Sequence, residues 1–235
     1  MDLGNRLIVA LDVPDRAAAD RLVADVGDNA SWVKIGLELF IAEGPDLVRD
    51  YAAAGRRVML DLKLHDIPAT VGRAVARAAD LGARLLTIHA GGGRDMMEAA
   101  ARVVRADKSN DRLRILAVTV LTSMSDADVA LIGAGEPVER LVTRRAQLAM
   151  EAGCDGVVCS PAEAKLLRSG APDDFLIVTP GVRPVGADRG DQARVMTPAE
   201  AIGAGADLIV VGRPIRDAAS PGDAAAQIAA ELGAA

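Results

Sequence analysis

The sequence predicts a single (β/α)8 barrel over residues 1–235, and three observations carry that prediction. The chain, at 235 residues, is close to the about 250 residues of one such barrel. Short aliphatic runs alternate with Ala-rich helical stretches along the whole length, with no Pro/Ser linker separating two halves. A punctuation also recurs around Gly55, Gly82, Gly153 and Gly205: a helical stretch, a glycine, one or two small or charged residues, then an aliphatic run. Glycine accepts the left-handed turn that closes a helix before the chain re-enters a sheet. A doubly wound open sheet is the alternative. Its dinucleotide-binding version is weakened because no Gly-x-Gly-x-x-Gly follows the first aliphatic run.

Taken in order, Leu7–Leu11 is a continuous apolar run, as expected for a parallel strand buried on both faces. After Pro14 comes a helix with Leu22, Val23 and Val26 on one side. Trp32–Gly36 is the second strand and carries Lys34 in its middle; residues 37–54, broken at Gly44-Pro45, supply helix. Val58-Met59-Leu60 leads the third strand into Asp61-Leu-Lys63-Leu-His-Asp66, and Pro68 stops the turn that follows. Helix is expected over 71–81, strand over 84–89, helix over 95–106 and strand over 113–121. Helix follows over 138–152, strands over 156–159 and 175–179, helix over 198–204, strand over 207–211, and a last helix from Pro221.

Composition narrows the function. Aromatics are 2% of a chain that is 51% hydrophobic, so the core is aliphatic packing. A net charge of -6 and a pI near 5.0 argue against a nucleic-acid or anionic-membrane partner. An anionic substrate must therefore meet a local cluster of cations. No apolar run approaches the roughly 18 residues of a membrane span, and the amino terminus lacks a signal-like segment. A cytoplasmic protein is expected, with Cys154 and Cys159 as buried, reduced thiols.

In a barrel of this kind the chemistry sits at the carboxyl ends of the strands. The polar residues there are Asp12, Lys34, Asp61, Lys63, Asp66, Thr122, Arg183, Gly212 and Arg213. Strand alternation puts Asp61 and Lys63 on one face, and buried ions cost several kcal/mol each unless paired. The row is therefore expected as Lys⁺ and Asp⁻ holding each other ionised. Gly212-Arg213, with Arg183 one strand earlier, has the makings of a phosphate cradle. The stretch between Gly181 and Pro198 is long for a strand-to-helix connection and suits a closing loop, with Gln192 placed to meet an amide edge. His65 and His89 have no acidic or cysteine spacing that would make a metal set, so packing roles are expected of them.

These residues resemble a known signature. Asp61-x-Lys63-x-x-Asp66-Ile-Pro-x-Thr70-Val is similar to that of the orotidine 5'-phosphate decarboxylase family. The similarity extends over the chain through Ala10-Leu-Asp12-Val, Lys34-Ile-Gly36, Val118-Thr-Val-Leu-Thr122-Ser, Thr179-Pro-Gly-Val-Arg183-Pro, Gly190-Asp-Gln192 and Val211-Gly-Arg213-Pro-Ile. The resemblance implies loss of CO2 from orotidine 5'-monophosphate to give UMP, with no metal and no organic cofactor. It implies Lys63 as the cation and proton donor at carbon 6, and Asp61 beside the departing carboxylate. Lys34 would hold Asp61 and the ribose, and Asp12 the ribose hydroxyls. Thr122 and Gln192 would address the pyrimidine or its phosphate edge, and Arg183, Gly212 and Arg213 the phosphate. Asp66 and Thr70 would complete the partner's site in a homodimer. The Asp-x-Lys-x-x-Asp portion is shared with metal-dependent hexulose-phosphate synthases and keto-gulonate-phosphate decarboxylases on the same scaffold, which form the alternative.

Overall fold

The computed structural model describes residues 6–109, 111–184 and 196–233. Eight parallel strands close in sequence order, β1 to β8, with β1 hydrogen-bonded to both β2 and β8. The strands are β1 (Leu7–Ala10), β2 (Trp32–Gly36), β3 (Arg57–Leu64), β4 (Leu85–His89), β5 (Arg114–Val118), β6 (Gly156–Val158), β7 (Leu176–Pro180) and β8 (Leu208–Val211). Closure leaves no sheet edge, so the open-sheet alternative is excluded.

The helices are α1 (Arg16–Val26), α2 (Leu37–Glu43), α3 (Pro45–Ala53), α4 (Pro68–Asp80), α5 (Arg94–Arg105), α6 (Asp126–Leu131), α7 (Val138–Ala152), α8 (Pro161–Arg168), α9 (Pro198–Gly203), α10 (Arg213–Arg216) and α11 (Pro221–Gly233). None of the described helices is long and apolar enough to cross a membrane. Each strand sends alternate side chains to two separate cores. Ile8, Trp32, Met59, Leu85, Leu116 and Leu208 belong to the cluster filling the barrel. Leu7, Val33, Leu60, Leu86, Ile115 and Ile209 pack outward against the helices. Cys154 and Cys159 are buried and unpaired, as expected.

Several boundaries differ from those expected. The helix after strand three starts at Pro68, not residue 71, because proline's fixed φ and missing N–H suit a first helical position. Strand five is shorter than 113–121: Thr119 still donates to the Val158 carbonyl at 3.1 Å, and the chain then turns over the rim. Two helices were not anticipated, α6 and α8. Both begin with a serine whose N–H donates to an acid three residues on, Ser125 to Asp128 and Ser160 to Glu163, each at 2.8 Å. That spacing is a legible start signal.

The departure that matters lies in β3. Its register with β4 runs Leu60↔Leu86 and then Leu64↔Ile88, so Asp61, Leu62 and Lys63 together face Thr87 alone. Lys63 takes φ +49°, the one positive value outside glycine among the described residues. The acid and base therefore do not share a face by simple alternation, as the sequence suggested; they are brought together across a bulge.

Candidate active site

A cavity of about 440 Å³ opens at the carboxyl ends of the strands. Asp12, Lys34, Asp61, Lys63, Thr122, Arg183, Gly212 and Arg213 all line it, as the sequence placed them. Its floor is apolar, made by Ala10, Met59, Val158 and Val210, the last barrel-filling residues of their strands.

One wall is an alternating row of ions. Lys34 Nζ donates to Asp12 Oδ1 at 2.8 Å and lies 3.5 Å from Asp61 Oδ2. Lys63 Nζ donates to both oxygens of Asp61 at 2.9 Å. Lys34 and Asp61 are only 9% and 8% exposed, so their charges rest on each other and not on water. Burial alone pushes the Asp61 carboxyl up. The fields of Lys34 and Lys63, with hydrogen bonds from Lys63 and Thr87, overcome that and hold it below the usual carboxylate range. An ion pair near 3 Å is worth on the order of 5 kcal/mol at an effective dielectric of about 20, enough to offset a desolvation of several kcal/mol. Asp61 is therefore held as a carboxylate. Gly36 leaves the row room: a Cβ there would sit 3.0 Å from Lys34 Nζ and 3.2 Å from Asp12 Oδ1.

The wall that follows β7 and β8 is cationic. Arg183 is 8% exposed and donates to the Val182 carbonyl at 3.0 Å. Arg213 opens α10, and Arg216 one turn later donates to the Asp12 carbonyl at 2.9 Å. The lining thus sets two carboxylates against five cations inside a protein of net charge -6. The local cluster demanded by an anionic substrate exists.

Two predicted residues lie away from this cavity. Asp66 is exposed, its carboxylate accepting from the Ile67 N–H at 2.6 Å, and Thr70 is half-buried in the first turn of α4. Gln192 lies outside the described residues. The segment leading to it starts from an isolated parallel bridge, Val182 with Met196, in which the Arg183 N–H donates to the Met196 carbonyl at 2.9 Å. His65 and His89 pack against each other, ring centroids 5.4 Å apart.

Sequence reasoning missed Arg216 and Thr87. Arg216 repeats the Arg213 side chain three residues on, a helical spacing that a four-residue helix after strand eight hides. Thr87 is the single polar residue within Leu85-Leu-Thr-Ile88 and is fully buried. A hydroxyl pointing into a barrel interior needs a partner, and that requirement was the available signal.

Comparison with known proteins agrees with this geometry. The family described as "Orotidine 5'-phosphate decarboxylase / HUMPS family" matches residues 5–228. A protein of Anaeromyxobacter sp. (strain K) named orotidine 5'-phosphate decarboxylase is 52% identical over 232 residues, covering 99% of this chain and 100% of its own. One of the same name from Moorella thermoacetica is 49% identical, covering 99% of this chain and 94% of its own. The crystal structure of orotidine 5'-phosphate decarboxylase from Lactobacillus acidophilus superposes with a TM-score of 0.84 at 37% identity, over 97% of this chain and 99% of that one. On the matched length, the shared barrel and the charged rim, the chain belongs to the orotidine 5'-phosphate decarboxylase / HUMPS family.

Proposed function

We propose that this protein decarboxylates orotidine 5'-monophosphate to UMP, with Lys63 as the group that meets and protonates carbon 6. The observation that carries this reading is the Asp12–Lys34–Asp61–Lys63 row sharing one apolar-floored cavity with Arg183 and Arg213. Breaking the bond from carbon 6 to the carboxylate leaves an electron pair in the plane of the pyrimidine, where the ring cannot spread it. A cation fixed in advance beside that carbon stabilises the developing anion more than it stabilises the substrate. Lys63 Nζ, held by both oxygens of Asp61, supplies that cation and then gives up a proton to complete UMP. Asp61, buried and ionised, sits where the substrate carboxylate must lie and disfavours it relative to the neutral CO2 that leaves.

The remaining roles follow from position. Lys34 ties Asp12 to Asp61, and Asp12, with its side chain 44% exposed, is the carboxylate able to accept from ribose hydroxyls. Arg183, Arg213 and the Gly212 backbone take the phosphate, with Thr122 and Gln192 addressing the pyrimidine or its phosphate edge. Asp66 and Thr70 lie off the cavity beside Ile67, which is 65% exposed. That exposed edge fits a homodimer in which they complete the partner's site; a chain that stays monomeric by light scattering at assay concentration would count against it.

No metal or cofactor is needed in this scheme. The place between the two rim carboxylates where a divalent cation would bridge them is taken by Lys34 Nζ, 2.8 Å from one and 3.5 Å from the other. This favours the reading over that of the metal-dependent synthases of the same family. The test is the fall in orotidylate absorbance with purified protein in excess chelator. Steady turnover is expected; no turnover, or turnover only after magnesium is added back, rejects the reading.

A further inference from the structure

We propose that Thr87 is the positioning residue that holds Lys63 and Asp61 in their reactive arrangement, by clamping the β3 bulge with its one hydroxyl. The inference rests on the decarboxylase reading of the site and extends it to a residue that does not touch the cavity.

Between the paired positions Leu60↔Leu86 and Leu64↔Ile88, β3 spends three residues against one on β4. A bulge of this kind takes backbone groups out of the ladder, and a buried N–H left without a partner is costly. Thr87 is 0% exposed, and its Oγ1 accepts from the Lys63 N–H at 2.9 Å. The same hydroxyl donates to Asp61 Oδ1 at 2.8 Å. Lys63 Nζ then returns to Asp61 at 2.9 Å, closing a ring from the Lys63 backbone through Thr87 and Asp61 to the Lys63 ammonium.

Two features show what that ring must hold. Lys63 is in the left-handed region at φ +49°, where a residue with a Cβ is strained. Released, its backbone would relax toward an extended strand and swing the ammonium off its place. Lys63 Nζ reaches both oxygens of Asp61 but is itself the reacting group, and Thr87 is the Asp61 donor among the described residues that carries no charge and no chemistry. A hydroxyl is required because it must accept and donate at once. Valine has the shape and neither function.

The test compares Thr87→Val, Thr87→Ala and Thr87→Ser with the wild-type enzyme, by orotidylate turnover and by UMP affinity. Losing a buried hydrogen bond to a charged group predicts a fall in kcat of roughly 10–100-fold for the valine and alanine variants. UMP affinity should stay within about 3-fold, since product binding uses the arginines and Asp12 and not the bulge. Serine, which keeps the hydroxyl, should retain kcat within about 5-fold. The acid limb of the kcat profile should move to higher pH in the valine variant. Asp61 there loses one of the donors that hold it ionised, while Lys34 and Lys63 still face it. A role in packing alone would lower kcat and UMP affinity together, would leave the pH limb in place, and would make serine as poor as valine; any of these overturns the inference. Alanine serves if valine does not fold, and an alanine variant with unchanged kcat overturns it equally. If the wild-type enzyme itself fails to consume orotidylate, the decarboxylase reading has failed and not the clamp.

Discussion

The two ends of the barrel use the same kinds of side chain for opposite purposes. At the amino end, several charges are spent on backbone. Asp155, just before β6, accepts from the Ile115 N–H at 2.8 Å and takes the Arg112 fork in a two-point pair. Asp207, just before β8, accepts from the Ile177 N–H at 2.7 Å and from Arg168 at 2.5 Å. Arg6 donates to the carbonyls of Ala206 and Asp207, and Arg56 to those of Gly27 and Ala30. These contacts tie a strand start to its neighbour. At the carboxyl end, Lys34, Asp61 and Lys63 hold one another around an open cavity. Charge that is satisfied by backbone stabilises; charge that is satisfied only by other movable charge remains able to act on a substrate.

The largest effect expected from this contrast is at Lys63. Replacing it with alanine removes both the fixed cation and the proton donor, each worth about 10²–10³-fold or more. Lys63→Ala should therefore lose at least ~10⁴-fold in kcat while still binding UMP, measured by turnover and by calorimetry. Because Asp61 keeps Lys34 and Thr87, the melting temperature should change little. Retained turnover would mean that the rim row is structural after all.

Arg213→Ala comes next. In the proposed scheme its charge meets the phosphate and not the reacting carbon, so its contribution is binding energy used to hold the substrate in place. A loss in kcat/KM of at least ~100-fold is expected, about 2.7 kcal/mol. Unchanged efficiency would take the phosphate away from this wall.

Asp155→Ala reverses the pattern. It leaves Arg112 half-buried without its carboxylate and the Ile115 N–H without its acceptor. The cost should be about 2–4 kcal/mol, or roughly 5–15 °C in Tm for a chain of this size. Turnover per folded molecule should stay within about 2-fold. A loss of kcat at unchanged Tm would erase the division between the two ends.

The same division explains what could be read from the chain. The acids of the amino-end braces sit in local triplets, Gly153-Cys-Asp155 and Gly205-Ala-Asp207, each at the mouth of a strand, and that recurrence was visible as punctuation even though the groups they bind lie 30 or more residues away. Four such junctions among eight aliphatic runs made the barrel legible, and with it the convergence of Asp12, Lys34, Asp61, Lys63 and Arg213 on one rim. What escaped depends on register between strands. Nothing in Asp61-Leu-Lys63 announces a bulge, because alternation alone already put the two charges together for the wrong reason. Thr87 was invisible for the same cause: its partners lie 24 and 26 residues away, across the sheet. Arg216 was masked by a helix too short to show a period.

The smallest effect separates the rim from the layer just behind it. His89 ends β4 behind the charged row, packed against His65. Burial first, then the fields of His65, Lys63 and Arg145, lower its pKa against a weaker opposing pull from Asp61. The folded protein therefore holds this proton less tightly than the unfolded chain does. The imidazole's contribution to stability is complete above its unfolded value, about 6.5, and is lost as pH falls through the lower folded value. His89→Asn should flatten the stability curve below about pH 6.5 and leave it unchanged above, read from denaturant melts at several pH values. A His89→Asn curve parallel to the wild type across that window would mean that neither burial nor the field of the rim cations lowers this imidazole's pKa.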